Sequence, residues 1–276
     1  MLPALWCSCR KLPAPAEPEE EATPDPPVMT VDSVTTRIRL HTEGQSVGTL
    51  DLFVYDSEGT RPLEVHRTAE ELPEGWWAVP TLPGDKLVVG IANSPHRFNL
   101  TALGRYDAME LLSFRFSDDN PQRPILGGLC RTESLRGEIV LRPLLCRVVL
   151  VSVANTMDGY ELLEDPRVRL LDLPDGAQIL RERDFRPSEL IDESEWVALP
   201  WDVGYFPQAC GISLWCYPND TPEDILGVPR PTLEFECRIL GESCSFEVPL
   251  PPLSRGCTKE VELTVDGPGD YSYKIR

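Results

Sequence analysis

The sequence predicts an all-β protein made of two tandem β-sandwich domains with short helical connections. Three observations lead to this. The apolar runs are short, rich in β-branched residues and separated at regular spacing by turn signals, the pattern of a sandwich. The chain carries 28 prolines and 19 glycines in 276 residues, which favours turns and short strands over long helices. The stretch Gly137 to Asn155, GEIVLRPLLCRVVLVSVAN, contains two strand-like segments split by Pro143, and a proline tends to end a central strand. A chain of this length fits about two domains. The expected boundaries are 1–30 for a leader and tether, 31–143 for the first sandwich and 144–276 for the second.

Composition narrows the function classes. The formal net charge is −19, whereas nucleic-acid binding relies on Lys and Arg to neutralise phosphates, so no nucleic-acid partner is expected. No apolar run reaches the roughly 18 residues needed to cross a bilayer as a helix. None of the nine cysteines forms a C-x-x-C pair, and the spacings Cys210/Cys216 and Cys237/Cys244 do not match zinc patterns. Most are expected on strands as small apolar residues, with one or two disulfides open and their connectivity unassigned.

The elements follow in order. Met1–Cys9 is apolar and lacks a basic n-region before it. One reading places the start inside a longer signal, with Cys9 as the lipid-attachment residue and Cys7 as the alternative; the other is a frayed terminus. Leu12–Val28 is rich in Pro and Glu with almost no large apolar side chains. It cannot offset its chain entropy by burial, and as polyproline II it would span roughly 50 Å. Strands are then expected at Thr36–Leu40, Gly48–Tyr55, Trp76–Val79 and Lys86–Ala92, a partly helical crossover within Asn99–Phe116, a short strand or loop at Pro124–Leu129, and a closing strand at Gly137–Arg142. Cys146–Ala154 opens the second half, with apolar residues on both parities and hence cover on both faces. Val168–Leu171 and Ala177–Leu180 flank Pro174-Asp175-Gly176 as a hairpin, and Pro187–Asp192 forms a helical turn. Trp196–Leu199, Gly211–Tyr217, Thr232–Ile239, Ser243–Leu250 and Cys257–Val265 complete the strands, with Leu240-Gly241-Glu242 as a hairpin turn.

Several segments together resemble the FimB-like family of fimbrial anchor and minor subunits of the Bacteroidales. They are LDLFVYDSEG (Leu50–Gly59), PGDKLVVGIAN (Pro83–Asn93), LRPLLCRVVLVSV (Leu141–Val153), YPNDTPEDILGVPRPTLEFECRI (Tyr217–Ile239) and VPLPPLSRGCTKEVELTVDGPG (Val248–Gly269). The resemblance implies two transthyretin-like sandwiches and a lipoprotein of the outer membrane. It further implies a place in a fimbrium, as base anchor or accessory subunit, with the shaft or other pilin subunits as partners. Assembly in this group resembles donor-strand complementation, in which an extended segment pairs with an open sheet edge. The C-terminal YSYKI alternates Tyr271, Tyr273 and Ile275 against Ser272 and Lys274, so these three are the candidate donor residues; an ordinary edge strand or a frayed end is the other reading.

No residue pattern requires a metal or other cofactor, and no catalytic residue is assigned. His41, His66 and His96 have no ligand spacing, and no G-x-S-x-G elbow or Gly-rich phosphate loop is present. Asp118-Asp119-Asn120 is expected to be a solvated turn. Trp76, Trp77 and Trp215 sit on expected strands and suit core packing. WDVGYF (201–206) reads as an exposed loop, which makes Trp201, Tyr205 and Phe206 candidate glycan contacts in an alternative reading, a surface adhesin outside any fimbrium.

Overall fold

The structure, a computed structural model, describes residues 32–159, 161–221 and 228–276. The expected leader and tether, with Cys7 and Cys9, lie outside the described residues. Ser33–Arg276 forms one compact unit. Its first half contains β1 (Val34–His41), β2 (Leu50–Asp56), β3 (Val65–Ala69), β4 (Trp76–Thr81), β5 (Lys86–Ala92), α1 (Tyr106–Glu110), β6 (Ser113–Arg115), β7 (Leu126–Arg131), β8 (Arg136–Val140) and β9 (Arg142–Pro143). The second contains β10 (Cys146–Asn155), β11 (Glu164–Pro174), β12 (Gly176–Gln178), β13 (Leu190–Glu193), β14 (Val197–Ala198), β15 (Gln208–Cys216), β16 (Thr232–Ile239), β17 (Glu242–Pro249), β18 (Thr258–Gly267) and β19 (Asp270–Ile275).

The two halves repeat one strand order. In the first, one sheet runs β4-β1-β8 and the facing sheet runs β3-β2-β5-β7-β9. In the second, the sheets run β15-β10-β18-β19 and β13-β11-β16-β17, with β14 also on β11. In each half the opening strand is antiparallel to one neighbour and parallel to the other: β1 to β4 and β8, β10 to β15 and β18. The difference is β19, which adds a strand outside β18; among the described residues no strand pairs with the outer side of β8.

Alternation places the cores. On β1, Thr36, Ile38 and Leu40 point inward, and Ile38 and Leu40 join Leu52, Val54, Val88, Ile139 and Leu141 between the two sheets of the first half. A second core, with Val148, Leu150, Val168, Leu233, Phe235, Phe246 and Val261, fills the second half. Each fully buried side chain of this size contributes about 1.5–3 kcal/mol relative to exposure.

A third core joins the halves. Every residue of β5 is buried. Val88 and Ala92 face the first-half core, while Leu87, Val89 and Ile91 face Leu103, Met109, Leu144, Ile179, Phe185 and Tyr217 on the opposite side of the sheet. KLVVGIA is therefore apolar on both parities because one face meets the partner sheet and the other meets the crossover and the second half. Gly127 permits this approach: a Cβ there would lie 2.5 Å from the Ile179 side chain.

Two expectations are corrected here. Ala177 does not return on β11 to make a hairpin. β12 pairs antiparallel with β6 of the first half, because Ala177 and Ile179 bury in the joining core and Ile179 N–H donates to Leu112 carbonyl at 2.9 Å. The segment expected as a helical turn at Pro187–Asp192 instead enters β13, whose Ile191 lies opposite Leu173 on β11 and packs on the second core. Pro143 lies on β9, the outermost strand of its sheet, where a missing donor is harmless.

Arg255 fastens the junction. Its side chain is only 3% exposed. Nη1 donates to the carbonyls of Ile179 at 2.7 Å and Arg181 at 3.3 Å, Nη2 to those of Gly127 and Arg142 at 2.7 Å each, and Nε to that of Pro143 at 3.3 Å. Burial lowers its pKa to about 10, with Glu182 opposing the shift and Arg142 adding to it, so the group remains charged at neutral pH. Replacing Arg255 by Met strands those carbonyls in a closed site. The Arg255→Met chain should lose about 3–5 kcal/mol in urea unfolding. A loss below about 1 kcal/mol would mean that water satisfies the carbonyls equally well.

Candidate functional site

The C-terminal strand is the first candidate. A turn at Gly269, with φ +78°, folds β19 back on β18. Tyr271, Tyr273 and Ile275 stand opposite Val265, Leu263 and Val261, and Glu260 and Arg276 exchange backbone hydrogen bonds of 3.1 and 3.0 Å. The alternation thus sets the three residues on one face. Tyr271 and Ile275 pack against the second core, and the Tyr271 hydroxyl donates to Glu247 carbonyl on β17 at 2.7 Å. Tyr273 is 45% exposed. Among the described residues, the other side of β19 and the outer side of β8 are sheet edges. A cleft of about 810 Å³ lined by Thr232, Pro249, Lys259, Tyr273 and Ile275 lies beside the end of β19.

The second candidate is the loop between β14 and β15. Trp201, Tyr205 and Phe206 are 47%, 47% and 75% exposed, and the Tyr205 and Phe206 rings meet edge to face with centroids 5.6 Å apart. The loop is held from beneath by buried Val203, which exchanges two 3.0 Å backbone bonds with Leu163, and by Asp202 Oδ1, which accepts Asp165 N–H at 2.9 Å. Exposed Leu162 extends the patch, 3.9 Å from the Cβ position of Gly204. The remaining described tryptophans are engaged. Arg39 lies 4.6 Å over Trp76, Arg167 and Arg169 lie 4.4 and 4.2 Å over Trp196, Arg147 lies 5.9 Å from Trp215, and Trp77 packs on the first core. Trp76 therefore stacks under arginine on an outer face, not in the core as its place on a strand suggested.

Titratable side chains in clefts are tied into structural contacts. A cleft of about 820 Å³ has Lys86 in its wall. That ammonium is 3% exposed and sits 2.9 Å from Glu64 Oε2, whose other oxygen accepts Leu82 N–H. His66 Nε2 lies 2.9 Å from Asp51, and its ring packs on Phe53. Asp119 differs from the solvated turn expected of it. Its Oδ1 accepts Ile125 N–H at 2.9 Å and its Oδ2 accepts the Tyr217 hydroxyl at 3.1 Å, joining the two halves. Burial pushes the Asp119 carboxyl above its ordinary pKa despite these bonds, and burial together with Asp119 pushes the Tyr217 phenol far up. The seven described cysteines are free thiols.

No family model matches the chain, and no curated protein matches it. Solved structures do. A candidate cell adhesion protein from Parabacteroides distasonis superposes with a TM-score of 0.65 at 11% identity, covering 88% of this chain and 96% of that one. A fimbrilin from Porphyromonas gingivalis W83 gives 0.56 at 13% identity, over 86% and 90%. The tip fimbrial protein Mfa3 of Porphyromonas gingivalis, C-terminally truncated, gives 0.55 at 11% identity, over 88% and 98%. The chain therefore has the fold of fimbrial and cell-adhesion proteins of the Bacteroidales.

Proposed function

We propose that this chain is a subunit of a cell-surface fimbrium, an anchor or accessory component that joins other pilin subunits by β-strand exchange and promotes adhesion. The observation that carries this is the fold, matched over most of the chain to proteins described as fimbrial. The strand order supports it. β19 completes the β18 edge within its own half, and no strand among the described residues covers the equivalent edge of β8. An extended segment bearing Tyr271, Tyr273 and Ile275 could gain on such an edge the ladder bonds it makes on β18. The two halves would be separate sandwich domains, 31–143 and 144–276, mounted on a Pro/Glu-rich tether. Acylation of Cys9, or of Cys7, would then hold the chain at the outer membrane.

Deleting residues 269–276 tests the exchange. The truncated chain should still melt cooperatively, at a lower temperature because Tyr271 and Ile275 leave the core, and should no longer co-purify with the fimbrial shaft. Undiminished co-purification would overturn the donor role. Mass spectrometry of the mature protein from membranes tests the anchor, with an acylated cysteine at its N-terminus as the expected result.

The exposed aromatic loop favours a second reading, a glycan-binding adhesin outside any fimbrium. Sugars stack on aromatic rings at a surface, and Trp201, Tyr205 and Phe206 are solvent-exposed on a loop fixed by Val203. On a glycan array, the Trp201→Ala chain should lose at least about tenfold in affinity, a loss of about 1.4 kcal/mol, if this reading holds. Equal signals from both chains would dismiss it.

A further inference from the structure

We propose that Cys146 and Cys257 are a paired dithiol that closes to an intrachain disulfide by exchange with a disulfide-bearing oxidant, clipping the start of β10 to the start of β18. Backbone register places them together. β10 and β18 are parallel neighbours with Arg147 opposite Thr258, so Cys146 and Cys257 stand side by side one position earlier. Arg147 N–H donates to Cys257 carbonyl at 2.8 Å, which holds the two backbones at strand spacing here. Adjacent strands lie about 4.8 Å apart, within the Cα separation of about 4.4–6.8 Å that a disulfide spans. The Cys146 S–H donates to Ser254 carbonyl at 3.1 Å, three residues before Cys257, and Cys257 packs against the same core that buries Cys146.

The environment divides the work between the two sulfurs. Cys257 is half-buried at the surface end, and Cys146 is fully buried beneath it. The neighbouring Cys146 side chain lowers the Cys257 thiol to about 7, against the effect of burial and with help from Lys259. The same contact and burial hold Cys146 well above its ordinary value. The other near neighbour, Cys216, faces Cys146 across the antiparallel pair but is completely buried, which pushes its thiol far up. Burial raises Cys130 to about 11 and Cys237 to about 12. Cys257 is thus suited to begin an exchange and Cys146 to resolve it. The Cys257 thiolate attacks one sulfur of the oxidant RSSR, forming a mixed disulfide and expelling one thiolate, which takes up a proton. Cys146 then gives up its proton and attacks Cys257 Sγ, expelling the second RS⁻. The oxidant is reduced to two RSH, and the two cysteines are oxidised to one disulfide.

The test uses the full chain, reduced, then exposed to oxidised glutathione, quenched with N-ethylmaleimide and mapped by peptide mass. A Cys146–Cys257 crosslinked peptide is expected, and it should persist in the Cys216→Ser chain. The Cys146→Ser chain should instead accumulate glutathione on Cys257. In the unaltered reduced chain, brief labelling should mark Cys257 about tenfold faster than Cys130, a readout that does not depend on any variant folding. The oxidised chain should melt about 5–10 °C higher than the reduced one. A dominant crosslink between Cys146 and Cys216 or between Cys237 and Cys244, or labelling of Cys257 no faster than that of Cys130, would overturn the proposal.

Discussion

One buried cation holds the body together. Arg255 sits where β7, β9 and the chain leaving β12 meet, and its guanidinium gathers carbonyls from all three segments. Its nearest carboxylate, Glu182, is 3.5 Å away and mostly exposed. The charge is therefore stabilised chiefly by peptide dipoles, which cost nothing to hold in place once the strands are formed. An apolar residue would fill the space but leave those dipoles opposed to one another in a closed site. Around this point the joining core of Ile179, Leu144, Leu145 and Tyr217 supplies area, and the Asp119–Tyr217 bond supplies direction.

That arrangement explains why some of the molecule was legible in the sequence and some was not. KLVVGIA and TLEFECRI declared β5 and β16 to the residue, because burial on two faces leaves a continuous apolar run and a single buried face leaves alternation. Leu240 and Gly241, at φ 53° and 83°, form the tight turn that their place between two strands implied. β3, with the sequence VHRTA, went unseen because it is a half-exposed edge strand with little apolar content. Pro174-Asp175-Gly176 carried true turn chemistry, but the destination of the chain after it depended on Ile179 finding Gly127, a contact between residues 52 positions apart. Arg255 was illegible for the same reason. In SRGC it looks like a solvated turn residue, and nothing local announces five distant carbonyls.

The candidate sites divide along similar lines. Period-two alternation set Tyr271, Tyr273 and Ile275 on one face of β19, and the gap in alternation at WDVGYF put its aromatics outside. The sequence held no sign that β19 would find its partner in β18, or that no described strand would cover the equivalent edge of the first half. Those facts belong to the repeated strand order, which lies in pairing and not in residue identity: the two halves share an architecture without sharing a motif.

The parallel pairing of β1 with β8 and of β10 with β18 has a mechanical consequence. In a parallel pair, the start of the first strand and the end of the second lie at opposite ends of the ladder. A pull entering at residue 34 and leaving beyond residue 140 must slide Arg37–His41 past Arg136–Val140, straining those hydrogen bonds together. An antiparallel hairpin pulled at its two free ends would open one bond at a time. The second half presents the same geometry between β10 and β18. A chain drawn taut between its ends would therefore load β1 against β8 in shear, whereas in the second half it would first peel β19, whose end at Arg276 lies beside Glu260 at the start of β18.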